Sequence, residues 1–194
     1  MKRILLILFL FPFLGFGQVD LVKWNGPTTA NPTIFASPAS AVTAGNITGN
    51  NINLQLNNSN EGFKAFPWPT NFTIDDTKYV EFSLSAQSGY KIKLSSFNFT
   101  YKANANIKRY QVRYSLDNFA TSTLLIDEAA ATSFTNKSLS LSDVTLYPGA
   151  ASIPIKIRVY GYKLTPNTWS DSAIDLWTPN LTQGGQNTSP TITG

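Results

Sequence analysis

The sequence predicts an all-β protein, an antiparallel β-sandwich of jelly-roll-like form preceded by a signal peptide, and three observations predict it. Apolar and polar residues alternate with period two in several separate stretches, the signature of strands with one buried and one wet face. Gly, Pro, Asn and Asp punctuate those stretches at turn spacing. Behind residue 17 no amphipathic stretch of helical period supplies the crossover helices that a parallel sheet needs.

The chain opens on Met1-Lys2-Arg3, continues through an apolar run from Ile4 to Phe16, and places small residues at Gly15 and Gly17. A cationic start, a short apolar middle and small residues at the last and third-last positions suit signal peptidase, and the run is too short to span a hydrocarbon core of about 30 Å comfortably. Cleavage after Gly17 gives the expected division: signal peptide 1–17, sandwich domain 18–178, and a Gly-, Asn- and Thr-rich linker-like tail 179–194. No second apolar stretch of about 18 residues follows, so no further membrane span is expected and the protein is placed outside the cell or on its surface.

Within the domain, Leu21 to Trp24 reads as a short strand, and Ile52, Leu54 and Leu56 alternate as another. The segment from Glu61 to Asn71 carries Phe63, Phe66 and Trp68 beside Pro67 and Pro69, and the prolines mark it as an aromatic-rich loop. From Tyr79 to Gln87, Val80, Phe82, Leu84 and Ala86 share one face and Glu81, Ser83, Ser85 and Gln87 the other. Burying Val80, Phe82 and Leu84 stabilises by about 1.5–3 kcal/mol each, so a one-residue slip does not compete. The next strand has Ile92 and Leu94 on even positions but Phe97, Phe99 and Tyr101 on odd ones, a phase change that asks for a bulge at Ser95-Ser96. Tyr110, Val112 and Tyr114 alternate before a turn at Leu116-Asp117-Asn118. Leu124 to Ile126 and Leu139 to Leu146 are weaker strands, and Ile153, Ile155, Ile157 and Val159 alternate clearly with Lys156 and Arg158 facing away. Beyond Tyr162 the pattern fades, leaving Trp169, Ile174, Leu176 and Trp177 as a closing strand.

Zero histidine and zero cysteine remove Ser-His-Asp and Cys-His nucleophile sites, soft-metal chemistry and disulfide staples. The net charge of +4 falls once Lys2 and Arg3 leave with the signal, with 13 basic against 11 acidic residues remaining, so bulk charge implies no nucleic-acid partner. Glycoside hydrolysis by paired carboxylates needs two acids about 5–9.5 Å apart, yet most acidic residues sit in turns and Glu81 has no acid on an alternating partner position. The chain is therefore expected not to be an enzyme and to need no cofactor.

Candidate binding residues are the four tryptophans Trp24, Trp68, Trp169 and Trp177, which lie near Pro, Asn or Asp at loops or strand ends. Each has two readings, an exposed indole stacking on a sugar ring or a plug over the sandwich end. Asp75-Asp76 and the Asp171 and Asp175 pair are the candidate metal positions, for structural calcium, against the simpler reading of turn capping. Lys102, Lys108, Arg109 and Arg113, interleaved with Tyr101, Tyr110 and Tyr114, form either a cationic aromatic surface for an acidic polysaccharide or nucleic acid, or a soluble sheet edge whose tyrosines face the core.

Tyr79-Val80-Glu81-Phe82-Ser83-Leu84, Gly89-Tyr90, Leu94-Ser95-Ser96-Phe97 with Phe99, Arg113-Tyr114-Ser115-Leu116-Asp117-Asn118-Phe119 and Arg158-Val159-Tyr160-Gly161-Tyr162 together resemble the uncharacterised β-sandwich modules of large secreted multidomain proteins of the Bacteroidota. The resemblance runs from Trp24 to Trp169 and includes Asn46-Ile47-Thr48. Its motifs are structural, so what it implies is a fold and an extracellular setting. In similar modules the end runs from a Trp through an Asp-bearing strand to a Gly, which Trp169 and Asp175 match loosely, and Ser189 to Gly194 reads like the opening of another module. The expected function is a secreted, non-catalytic module for adhesion or carbohydrate binding, with an extracellular glycan or surface polymer as partner. The alternative is an accessory domain of a secreted hydrolase or nuclease whose catalytic part lies outside this chain.

Overall fold

Alternation decides which side of each strand is buried, and the computed structural model, which describes residues 19–24, 33–34, 39–56, 62–69, 72–104, 107, 109–148, 153–162 and 174–183, shows it directly. The signal segment 1–17 lies outside the described residues. The strands are β1 (Val19–Lys23), β2 (Thr33–Ile34), β3 (Val42–Ala44), β4 (Thr48–Asn50), β5 (Asn53–Leu56), β6 (Gly62–Phe66), β7 (Tyr79–Ala86), β8 (Ile92–Ala103), β9 (Arg109–Ser115), β10 (Thr123–Ala129), β11 (Thr135–Ser140), β12 (Thr145–Leu146), β13 (Ile155–Tyr162) and β14 (Ile174–Gln183). Among the described residues the sole helical element is a 3-10 turn at Ala39–Ala41, and no helix is long and apolar enough to cross a membrane.

The described strands form two sheets, and every pairing is antiparallel. The larger sheet runs β11-β8-β14-β1-β2, with β12 on β8 and the β5-β6 pair on β14; the smaller runs β10-β9-β13-β7-β3, with β4 on β7. From β3 onward the chain passes back and forth between the sheets, which gives the sandwich its jelly-roll-like path.

An aromatic seam joins the two layers. Phe82 of β7 lies edge-on to Trp24 (centroids 5.2 Å apart) and tilted against Phe97 of β8 (5.3 Å). Phe97, Phe99 and Tyr101 follow one another along β8, and Tyr101 meets Tyr110 of β9 at 4.5 Å. Val80, Phe82 and Leu84 are fully buried, as are Ile155 and Ile157 on β13.

The bulge is where the phase change requires it. Thr182 of β14 pairs with Ser96 and Gln183 with Leu94, so Ser95 is the extra residue, and Ser96 and Phe97 are buried in succession. Ser95 still uses its carbonyl, which accepts from the Leu141 N–H at 2.7 Å.

Three expectations are corrected. The segment expected as an aromatic loop contains β6, paired to both β5 and β14; the prolines begin at Pro67, after the strand, and remove no ladder donor from it. The weak strand expected from Leu139 to Leu146 is two, β11 and β12, separated by a turn in which the Val144 N–H bonds the Leu141 carbonyl. The faint closing strand is β14, ten residues long and central to the larger sheet, and it crosses the boundary expected at residue 178. A register skip between Trp177 and Asn180 lets the strand pass Pro179.

Phe82→Ala is expected to destabilise the protein by about 3–5 kcal/mol in urea unfolding, whereas Phe72→Ala, on an exposed ring, changes stability by no more than about 0.5 kcal/mol. Equal effects from the two substitutions would contradict the seam.

Candidate functional site

The outward side of the smaller sheet is built by register. Glu81, Arg158 and Arg113 stand directly opposite one another on β7, β13 and β9; Ser83, Lys156 and Ser115 form the next row; Tyr160, Gln111 and Asp127 form a row on the other side, followed by Tyr162 and Arg109. Alternation turns these residues away from the seam, yet Tyr160, Gln111, Ser115 and Tyr162 are buried there.

Two polar groups organise the face. In the first, the Glu81 carboxylate accepts from Arg158 Nε at 2.7 Å and pairs with Lys156 Nζ at 3.2 Å. The Arg158 guanidinium lies between the rings of Tyr79 and Phe119, 3.7 Å from each centroid. Arg113 stacks 5.6 Å from the Tyr160 ring, and Tyr160 stands edge-on to Tyr79 at 6.0 Å. Burial would lower the Arg158 pKa, but hydrogen bonds to Glu81 and Tyr160 hold it above the ordinary guanidinium range; burial raises the Tyr160 hydroxyl.

In the second group Asp127 is the hub. Its Oδ1 accepts from Arg109 Nη2 (2.7 Å), Arg109 Nε (3.0 Å) and the Tyr162 hydroxyl (2.6 Å), and its Oδ2 from Gln111 Nε2 (3.1 Å). Burial pushes this carboxyl up, and the donors from Tyr162, Arg109 and Gln111 outweigh it, so its pKa lies below the usual carboxylate range.

Phe119 reaches the face because of the loop that carries it. Ser115 Oγ accepts from the backbone N–H groups of Asp117 (3.1 Å) and Phe119 (2.8 Å), and Asp117 accepts from the N–H and hydroxyl of Thr121. Asn118 and Phe119 adopt φ of 61° and 66°, a left-handed conformation that Asn tolerates and that is an outlier for Phe. The hydrogen-bonded turn, anticipated from Leu116-Asp117-Asn118, holds the ring in place over Arg158.

Trp24 and Trp68, two of the four tryptophans expected to bind ligand, do not build this face. Trp24 is 1% exposed, donates from Nε1 to the Gly45 carbonyl at 2.8 Å and packs on Phe82. Trp68 is 2% exposed and lies so close to Gly161 that a Cβ there would sit 2.9 Å from its ring. Both are core plugs, and neither indole offers a face for stacking. Trp177 stands in β14 opposite Thr100 and Gly62, and Asp175 opposite Lys102 and Lys64; their side chains lie outside the described part, as do Trp169 and Asp171 entirely.

Asp75 caps a turn, accepting from the Thr77 N–H (3.0 Å) and hydroxyl (2.6 Å), which lower its pKa. Asp76 instead pairs with Arg113 Nη1 at 3.5 Å. Asp75 is thus engaged in turn chemistry and Asp76 in an ion pair.

The expected basic and aromatic patch is divided by the fold. Tyr101 and Tyr110 are core residues and Tyr114 packs against the core. Lys102 belongs to the larger sheet, where it lies over Phe134 at 4.9 Å, while Arg109 and Arg113 face outward on the smaller; Lys108 is outside the described residues. Tyr79, Phe119, Tyr160 and Tyr162, which the sequence reading did not select, replace the interleaved tyrosines. Tyr79 shares the outward phase of Glu81, and Tyr160 and Tyr162 that of Arg158, whereas Phe119 lies in a loop outside both alternations.

The structure is similar to solved carbohydrate-binding modules. A family 29 module from Piromyces equi shares 12% identity over 87% of this chain and 89% of its own, with a TM-score of 0.45. The family 22 and glycoside hydrolase 10 modules of the Clostridium thermocellum endo-1,4-β-D-xylanase 10B, complexed with xylohexaose, share 13% identity over 87% of this chain and 29% of theirs, with a TM-score of 0.42. The N-terminal cellulose-binding domain of Cellulomonas fimi β-1,4-glucanase C shares 13% identity over 86% and 90%, at 0.38. No family model matches the chain, and no curated protein matches its sequence.

The Asp117 hydrogen bonds give a pH prediction. Its folded pKa is about 2 against an unfolded value of about 3.9, so its stabilisation is complete above pH 4 and is lost as pH falls toward 2. Asp117→Asn is expected to flatten the acid-unfolding profile in that window; profiles of equal slope would contradict the hydrogen-bonded turn.

Proposed function

We propose that this chain is a secreted, non-catalytic module that binds carbohydrate in adhesion or as an accessory domain, and that it does so on the outward side of the smaller sheet. The observation that carries the reading is the face itself. On β7, β13, β9 and the loop after β9, the partly exposed Tyr79 and Phe119 rings, two stacked guanidinium groups and a carboxylate lie side by side, each braced by a neighbour, with Tyr160 and Gln111 buried beneath them. Sugar rings present flat C–H surfaces and many hydroxyls, which such a mixture of rings, donors and acceptors complements. Side chains already braced lose little rotamer freedom on binding.

The residues of Arg113 to Phe119 and Arg158 to Tyr162, through which the chain resembles modules of secreted Bacteroidota-type surface proteins, are also those that form much of this face, which supports a setting at the cell exterior. The absence of histidine and cysteine from the sequence accords with a surface that binds without transforming its ligand.

The test is binding of the purified protein to soluble plant and bacterial polysaccharides by calorimetry. Tyr79→Ala is expected to weaken binding by between about twofold and tenfold, and Phe134→Ala, just before β11 beside the other sheet, to leave it unchanged. Blanks across all polysaccharides, or a loss confined to Phe134→Ala, would overturn the reading.

A further inference from the structure

The charges of the smaller sheet are unequally matched. Arg109 is held by Asp127 and by the Tyr162 hydroxyl. Lys156 and Arg158 share the single carboxylate of Glu81. Arg113 stands directly opposite Arg158 in the ladder, and like charges at that position repel. Its carboxylate partner is Asp76, at 3.5 Å, on a loop side chain that is 75% exposed. An exposed, long pair of that kind contributes little to stability and is readily exchanged. Around this point three cations, Arg113, Lys156 and Arg158, face two carboxylates, Glu81 and Asp76, and one of the two is displaceable.

The stacking defines what could replace Asp76 at Arg113. Arg113 lies over the Tyr160 ring, 5.6 Å from its centroid, and its side chain is 29% exposed, so once Asp76 moves away the guanidinium suits a planar or tetrahedral oxyanion in bidentate fashion. Asp76 already meets that edge at long range with a carboxylate, the chemistry a ligand would bring.

Resting on the carbohydrate reading above, we propose that Arg113, supported by Arg158 and Lys156, is the specificity-determining residue of the face and takes the oxyanion of an acidic glycan, either a uronate carboxylate or a sulfate ester. Asp76 occupies the position until the glycan displaces it. A nucleic-acid backbone is the less favoured polyanion, because 13 basic against 11 acidic residues beyond position 17 provide little long-range attraction and one loosely paired arginine does not track a row of phosphates.

The test is affinity electrophoresis of the full chain in gels containing polygalacturonate, chondroitin sulfate, neutral xylan or neutral mannan, with a single-stranded DNA oligonucleotide assayed in parallel. Retardation by one or both acidic glycans, stronger than by the neutral ones, supports the proposal and names the oxyanion. Arg113→Gln is expected to weaken acidic-glycan binding roughly tenfold while leaving neutral-glycan binding within about twofold. Asp76→Asn, at an exposed position that does not endanger folding, is expected to strengthen acidic-glycan binding about threefold by removing the competitor. Binding to neutral glycans alone, or an Asp76→Asn variant no tighter than wild type, overturns this proposal and leaves the carbohydrate reading standing. DNA bound more tightly than every glycan, or no glycan bound at all, overturns both.

Discussion

The contact of Phe82 with Trp24 on one side and Phe97 on the other is the constraint on which the remaining structure depends. It fixes which residues of β7 face inward, and because side chains alternate, it equally fixes that Tyr79, Glu81 and Ser83 face outward. Register then transmits the choice across the sheet. Glu81 lies opposite Arg158, Arg158 opposite Arg113, and the polar network on the outer side is the obligatory complement of the apolar seam on the inner one.

The consequence is a face with two kinds of polar contact. Around Asp127 the carboxylate is tightly satisfied by Arg109, Tyr162 and Gln111 Nε2, a structural clasp between β9, β10 and the end of β13, although the buried Gln111 Oε1 has no partner among the described residues. Around Arg113 the matching is looser, with a long pair to an exposed carboxylate and a like charge next door. Buried polar groups that are fully partnered specify a fold, whereas an arginine with an exchangeable partner is available to something else. The Asp117 loop contributes to the same region by holding Phe119 against Arg158 despite a backbone conformation that phenylalanine rarely adopts.

How much of this was legible in the sequence follows from where local pattern and tertiary pairing coincide. β7 and β13 could be read residue by residue because each has one face in the core and one outside, and the Ser95 bulge because it shifts that phase. β14 was faint because Pro179 and the skip at Trp177 to Asn180 interrupt its period, although pairing with β1, β6 and β8 makes it central. β6 resembles a loop in the sequence because Pro67 and Pro69 follow it closely, although both lie beyond its last paired residue. At the site, local pattern does not tell a buried Trp from an exposed one, since Trp24 and Trp68 owe their burial to Phe82, Gly45 and Gly161, which are distant in the chain. The pairing of Glu81 with Arg158, 77 residues away, is likewise a property of the assembled sheet.

The account is tested most directly by mapping amide chemical-shift changes across the protein as a bound polysaccharide is titrated in. It predicts changes concentrated on Tyr79 and Glu81, on Arg158 and Tyr160, on Arg113 and in the loop at Phe119. Changes concentrated instead on the outward rows of the larger sheet, around Thr100 and Lys102, would contradict it.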